Sequence, residues 1–478
     1  MADAGLWRLS AAKLLEGYAR HDFSPVEVVR ELFDRAEQLN PALSAFLAVN
    51  TDDALAAAQT AENVWMGSGE KPALCGVPVS IKDSIEVEGM PTTYGSLAFK
   101  ENRQPDSELA RRIRAAGGVI TGKTNLPEFA LHGAVDNLLS PPGRNPWNLD
   151  HTCGGSSGGA GNSVATGMGP IGIGTDSGGS IRMPAAANGI YGIKPSYQRI
   201  PAVQTWRAAP GRSHNGPLTR TVRDAALLLQ AISGADLRDG ESNLPQVDYM
   251  SFANGDVRGM RVAVSYDFGR GFAMDEEALK FVREAAQLLA GLGCEIIEAD
   301  PPTLHDPEEL EPGVWAYAGD HYAAAEAMIP GFLEKHIDDL GAHARPLYEK
   351  GPEAKAWQYR RIIRRNRAFG LEMQEWFRDY DFLLSPSIGP AAKVAEIGLR
   401  DRSRALVSFT TPFNHTYNPA AAIPFGFHSN GLPLGVQIVG RSRDDVGVLR
   451  MSAAFEKANP WAHHWPDMAG DMSLAKTY

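Results

Sequence analysis

The sequence predicts an α/β protein, a sheet whose faces are covered by helices. Three observations carry that expectation. Helical, extended and turn patterns alternate to about residue 235, as they do along such a sheet. A strand–helix–strand unit stands out at 261–265, 275–292 and 294–298, its amphipathic helix opened by acidic residues and closed by glycine. Hydrophobic residues make up 44% of the chain and charged residues 22%, the balance of a protein with an ordinary core. At 478 residues, length alone suggests two or three domains.

Taken in order, the chain starts with helices. Ser10 caps the first, which carries Leu14 and Leu15. Ser24-Pro25-Val26-Glu27 opens the second with a capping serine, a first-turn proline and a glutamate three residues on. Val28, Val29, Leu32, Phe33 and Ala36 then recur at helical spacing. Residues 52–66 read as a third, alanine-rich helix, and 67–72 as a loop. Residues 74–83, LCGVPVSIKD, read as a short buried strand ending in Lys82-Asp83. A lysine there is unusual, because ammonium groups resist burial; its ordinary reading is a side chain snorkelling to the surface. Residues 107–116 read as helix and 118–121 as strand. Residues 303–380 are mostly helical, with Pro307, Pro312, Pro330, Pro346 and Pro352 marking breaks. Residues 382–384 and 434–439 read as strands returning to the core.

Composition excludes several function classes. A net charge of −11 opposes binding to nucleic acid or to an anionic membrane. The basic run at 360–365 reads as one solvated helix face. The start, MADAGLWRLS, has neither the basic region nor the apolar core of a signal peptide. No apolar run approaches the ~20 residues that span a bilayer. Cys75, Cys153 and Cys294 are too few and scattered for a disulfide framework. A cytoplasmic protein without nucleic-acid or membrane partners is expected. The histidines show no metal-ligand spacing, so no metal is expected either.

Two motifs point elsewhere and fail on context. Residues 117–124, GGVITGKT, fit the phosphate-loop pattern, which needs a strand before it and a helix after it. Here a helix precedes, and Val119-Ile120 read as strand. Residues 154–158, GGSSG, fit the GxSxG elbow of α/β-hydrolases, which needs a strand running into it and an acid and histidine downstream. Asn148-Leu149-Asp150-His151-Thr152 does not read as a strand, and His415, His463 or His464 would have to serve as base. His463-His464, between Trp461 and Trp465, read as packing residues.

What remains is the stretch 151–195. It holds two glycine–serine clusters, GGSSGG at 154–159 and GTDSGGS at 174–180, separated by small and apolar residues. Glycines let main-chain N–H groups crowd round a ligand atom. Serines supply hydroxyls that attack or relay protons. A flexible linker would lack the embedded Val164, Ile171, Ile173, Ile181 and Met183.

Further runs accompany this stretch in a set order: GVPVSIKD (76–83), GKTN (122–125), RNPWN (144–148), GIKP (192–195), GPLTR (216–220), NPA (418–420) and GLPLGVQIVG (431–440). With them the chain resembles the amidase signature family of serine hydrolases over nearly its whole length. The resemblance implies one large α/β domain rather than two or three, with a mixed sheet of many strands covered by helices on both faces. Within it, residues 9–66 would be N-terminal helices, 72–235 the catalytic core, 240–380 a mostly helical variable insert and 381–478 returning core strands. It also implies a Ser–Ser–Lys triad of Lys82, Ser156 and the nucleophile Ser180, with a cis peptide between Gly155 and Ser156. The oxyanion donors would be the backbone N–H groups of Ser177, Gly178, Gly179 and Ser180. No cofactor is implied. The partners implied are a small-molecule amide and water, and a homodimer is compatible with the resemblance.

The chemistry fits those residue types. A serine hydroxyl is a poor nucleophile until a base takes its proton. Lysine is a base only when neutral, and its unperturbed pKa is about 10.4. Burial disfavours the ammonium form, which would explain why Lys82 ends an apolar strand. Ser156 would pass a proton from Ser180 to Lys82 and return it to the leaving nitrogen, a step amide cleavage needs. Water would then hydrolyse an acyl-enzyme at Ser180.

Candidate substrate contacts are Phe129, His132, Gly133, Trp206, Trp315 and Phe413. Their aromatic groups would suit an aryl or hydrophobic amide, anilide or carbamate, with some esterase activity. One branch of the family is the glutamine-hydrolysing subunit of a tRNA-dependent amidotransferase. An acidic residue is expected there just before the Gly-Pro-Leu motif, where this chain has Ser213-His214-Asn215; a free-standing amidase fits better. A non-catalytic binding protein on this fold would be expected to lose Lys82, Ser156 or Ser180, and none is lost.

Overall fold

Short apolar runs bounded by glycine and proline become strands, and amphipathic runs become the helices that cover them. The computed structural model describes residues 5–203, 211–271, 274–303, 307–396 and 409–477. Its strands are β1 (Phe46–Val49), β2 (Pro78–Lys82), β3 (Val119–Thr124), β4 (Arg144–Asn145), β5 (Asn148–Thr152), β6 (Ile171–Asp176), β7 (Tyr191–Lys194), β8 (His214–Thr219), β9 (Arg261–Val264), β10 (Glu295–Glu298), β11 (Phe382–Pro386), β12 (Ala420–Phe427) and β13 (Pro433–Gly440). Among the described residues, eleven strands form one sheet, in the order β1-β3-β2-β6-β8-β7-β12-β13-β11-β9-β10, and β4 pairs with β5 apart from it. The sheet is mixed. β2 runs parallel to β3 and β6, and β9 parallel to β10 and β11. β8 is antiparallel to β6 and β7.

Helices cover both faces. The largest apolar cluster joins Val79, Ile81, Ile173, Ile193, Ala421 and Ile423 to helices Val222–Ile232, Glu276–Gly291 and Asp445–Ala458. A second cluster joins Ala422 to helices Gly158–Ala165 and Arg182–Asn188. Consecutive residues 421 and 422 of β12 thus enter different clusters, as strand geometry requires. One sheet uses strands from both halves of the chain, so the two or three domains that length suggests give way to a single domain.

Local signals set the helix ends. Ser10 and Ser24 accept the expected backbone N–H bonds, and Ser24 with Glu27 closes a full capping box. The phosphate-loop lookalike is strand, since β3 runs through it after helix Glu108–Ala115. Other readings need correcting. Residues 148–152 are a strand, β5, although it pairs only with the short β4 and stops before the loop that follows. β8, where the sequence alone predicts no element, is a buried strand that contains Gly216-Pro217. Its ladder with β7 is limited to Leu218 and Thr219, so Pro217 lies where a missing N–H is tolerated. Pro312 falls inside helix Pro307–Met328 and breaks nothing. The unit β9, helix Glu276–Gly291, β10 lies at one edge of the sheet. Among the described residues no helix is long and apolar enough to cross a membrane.

Candidate active site

β2 and β6 are parallel neighbours, so their C-terminal ends lie side by side, where α/β sheets place ligand sites. β2 ends in Lys82 and β6 in Thr175 and Asp176. The Lys82 side chain has no exposed surface. Its Nζ lies 2.6 Å from Ser156 Oγ, 3.0 Å from Ser157 Oγ and 2.8 Å from Thr175 Oγ1. Burial pushes the amine down to about 7, against an upward pull from Asp176. An ammonium stripped of water, with only neutral hydroxyls in contact, gives up its proton easily.

The first glycine–serine cluster brings Ser156 to the lysine. The Gly155–Ser156 peptide is cis, as the resemblance implies. A Cβ on Gly155 would sit 2.8 Å from Ala134 N and Gly133 C, so only glycine lets the 132–134 loop close against this turn. Ser157 donates its N–H to the carbonyl of Ser180 at 3.1 Å, which ties the two clusters together.

A buried ion pair holds the second cluster. Asp176 and Arg182 have no exposed side-chain surface and meet through two contacts, of 2.9 and 3.0 Å. Burial pushes the Asp176 carboxyl up, but the Arg182 guanidinium, Lys194 and Asn414 outweigh it and hold the group well below the usual carboxylate range. Arg182 also donates to Thr410 O, Gln437 Oε1 and Asn414 Oδ1. Asp176 Oδ1 accepts the N–H of Gly179 at 2.7 Å, and Oδ2 that of Ile181 at 3.2 Å. The Gly178 carbonyl accepts from the hydroxyls of Thr410 and Thr411. The Gly178–Gly179 peptide is therefore clamped at both ends. Gly179 has φ +129, and a Cβ there would lie 2.2 Å from Thr410 Oγ1. Of the four expected oxyanion donors, the N–H of Gly179 is thus already given to Asp176. Those of Ser177, Gly178 and Ser180 meet no acceptor among the described residues.

The remaining candidates scatter. Gly133 faces open space, next to Gly155. His132 stacks on His343 at 4.3 Å and 15°. Phe129 packs against Phe99, Phe332 and Tyr348 in a buried aromatic cluster. Phe413 has no exposed surface and packs with Phe268. Trp206 lies outside the described residues, and Trp315 sits on helix Pro307–Met328 with its side chain outside them. Neither His415, His463 nor His464 hydrogen-bonds to Ser156 or Ser180 among the described residues. Burial, and then Arg212, push His415 down to about 3. The rings of His463 and His464 lie 3.9 Å apart, tilted by 40°.

Sequence reasoning missed Ser157, Thr175, Asp176, Arg182 and Asn414. One signal was available for two of them. Asp176 and Arg182 are the only charged residues between His151 and Lys194, and lone opposite charges in an apolar stretch are expected to pair.

This arrangement supplies an amine that gives up its proton easily against a serine hydroxyl, a second serine tied through its carbonyl to Ser157, and backbone N–H groups that meet no acceptor among the described residues. Comparison with known proteins identifies the family. The family model described as Amidase matches residues 27–449. The acylamidase of Rhodococcus erythropolis is 35% identical, with 98% of each chain covered. A glutamyl-tRNA(Gln) amidotransferase subunit of Roseiflexus castenholzii is 33% identical, over 98% of this chain and 99% of that one. The crystal structure of a bacterial aryl acylamidase of the amidase signature family superposes with a TM-score of 0.88 at 30% identity, covering 97% of this chain and 98% of that one. The chain therefore belongs to the amidase signature family, whose members include hydrolases of amide C–N bonds.

Proposed function

We propose that this protein is a free-standing amidase acting through Ser180, Ser156 and Lys82. The contact between Lys82 and Ser156, 2.6 Å long and sealed from water, carries the reading. Neutral Lys82 takes the Ser156 proton as Ser156 takes that of Ser180. Ser180 Oγ attacks the amide carbonyl, and its developing oxyanion faces the backbone N–H groups of Ser177, Gly178 and Ser180. The proton returns through Ser156 to the nitrogen, the C–N bond breaks, and water releases the acyl group by the same relay. Names of relatives, an acylamidase and an aryl acylamidase, favour an acyl amide or anilide of aromatic or hydrophobic character.

A fluorophosphonate label followed by peptide mapping tests the nucleophile. The adduct is expected on Ser180 and is expected to vanish in Ser180→Ala; an adduct on any other residue overturns the assignment. The similarity to glutamyl-tRNA(Gln) amidotransferases supports a second reading, glutamine hydrolysis for a partner. Against it, the stretch where an acidic residue is expected holds Ser213-His214-Asn215, and its buried His214 is kept by burial well below its ordinary value. Ammonia release from glutamine, with no turnover of anilides or simple amides, would establish that second reading instead.

A further inference from the structure

Three hydroxyls surround Lys82, but the mechanism above uses only that of Ser156. The hydrogen inventory decides what the other two do. Ser157 Oγ donates its one hydrogen to the carbonyl of Thr175 at 3.2 Å and accepts the Thr175 N–H at 3.2 Å. Its second lone pair is left for an N–H of Lys82. A neutral lysine has two N–H donors and one lone pair. With one donor spent on Ser157, one N–H and the lone pair remain for Ser156 and Thr175. If Thr175 donated to the lone pair, Lys82 would offer Ser156 a hydrogen and could not receive one.

We infer that Thr175 is a positioning residue, whose hydroxyl accepts the second Lys82 N–H and so leaves the lysine lone pair aimed at Ser156. This rests on the reading of Lys82 as the base. Thr175 suits the task. Its Oγ1 is 2.8 Å from Nζ, and its backbone is locked to Ser157 from both its N–H and its C=O.

The pH dependence has a definite sign. The ammonium form of Lys82 has three N–H groups and three acceptors around it. Removing one acceptor disfavours that form, so the amine becomes neutral at lower pH. Other charges on the packed elements stay paired. Asp176 on β6 is bound to Arg182, and Asp83 after β2 is bound to Lys123 of β3 at 2.8 Å.

The test is the second-order rate of fluorophosphonate labelling at Ser180, measured against pH. In Thr175→Val the plateau rate is expected to fall about tenfold, the worth of one hydrogen bond, and the acid limb to move to lower pH. Thr175→Ser, which keeps the hydroxyl, is expected to restore both. Should Thr175→Val fail to fold, Thr175→Ala carries the same expectation. A plateau within about twofold of the parent, or a fall in rate with the acid limb unmoved, overturns the role of Thr175. Lys82→Ala is the separate control. If it labels at the parent rate, the base assignment fails, whatever Thr175 does.

Discussion

Lys82 at the end of β2 and Lys194 at the end of β7 are buried equally completely. Burial pushes both amines down to about 7. Their surroundings differ in kind. Lys82 meets three hydroxyls, which can accept a hydrogen or give one. Lys194 meets two backbone carbonyls, Pro195 O at 3.1 Å and Asn418 O at 2.6 Å, which can only accept. Lys194 is thus held as a donor that straps the segment after β7 to the one before β12. Desolvation makes a lysine easy to deprotonate, but only a neighbouring hydroxyl gives its lone pair a proton to take.

The largest effect separates the two lysines. Lys82→Ala is expected to lower turnover and Ser180 labelling by about 10⁴-fold, the upper range for a lost general base, with the folded state retained. Lys194→Met is expected to leave labelling of the folded protein within a few-fold and to lower the thermal midpoint instead. Each buried carbonyl it orphans costs about 1–3 kcal/mol. Equal losses of activity in both variants would erase the distinction. The pH profile sharpens it. Activity needs neutral Lys82, so kcat/KM is expected to fall as pH drops below about 7, and Lys194→Met is expected to keep that limb.

Much of this was legible in the sequence. Lys82 stood out because a charge closed an apolar strand, and the two glycine–serine clusters stood out by composition. The single sheet was legible only through the resemblance, since length argues for more domains. What stayed hidden depends on contacts between distant residues. Thr175 and Ser157 are ordinary small polar residues until β6 lies beside β2. Asn414, which joins Asp176 and Arg182, comes from more than two hundred residues away. The sequence alone predicts no element at 214–219, where β8 carries a Gly-Pro pair, and only the sheet reveals that Pro217 lies outside the β7 ladder.

A smaller effect tests the charged pair beside the lysine. Asp176→Asn keeps the shape but leaves Arg182 buried without its anion. A cost of about 3–5 kcal/mol in unfolding free energy is expected, as for other broken buried pairs. The variant also weakens the clamp on Gly179 and so loosens the neighbouring donors of Gly178 and Ser180; labelling of the folded fraction should slow by about 10²-fold, the scale of one misaligned oxyanion donor. Chemical denaturation and labelling of the same samples separate the two effects. A stability loss with full labelling would make the Asp176–Arg182 pair a strap like Lys194, with no share in shaping the loop.

The smallest effect is expected at a third buried base. His415 is 7% exposed and is pushed down to about 3 by burial and then by Arg212, so it is neutral at working pH. It could accept a proton only from a hydroxyl in contact, and neither Ser156 nor Ser180 is one. It therefore belongs with Lys194, a buried base with no reactive serine to serve. His415→Gln should change kcat by no more than about threefold, the scale of a lost neutral hydrogen bond. The measurement is kcat on an anilide for His415→Gln and Lys82→Ala side by side. If the histidine variant lost activity by orders of magnitude while the lysine variant kept it, the proton would have to leave Ser180 by another path. The hydroxyls around Lys82 would then be packing alone, and the contrast between the two lysines would carry no chemistry.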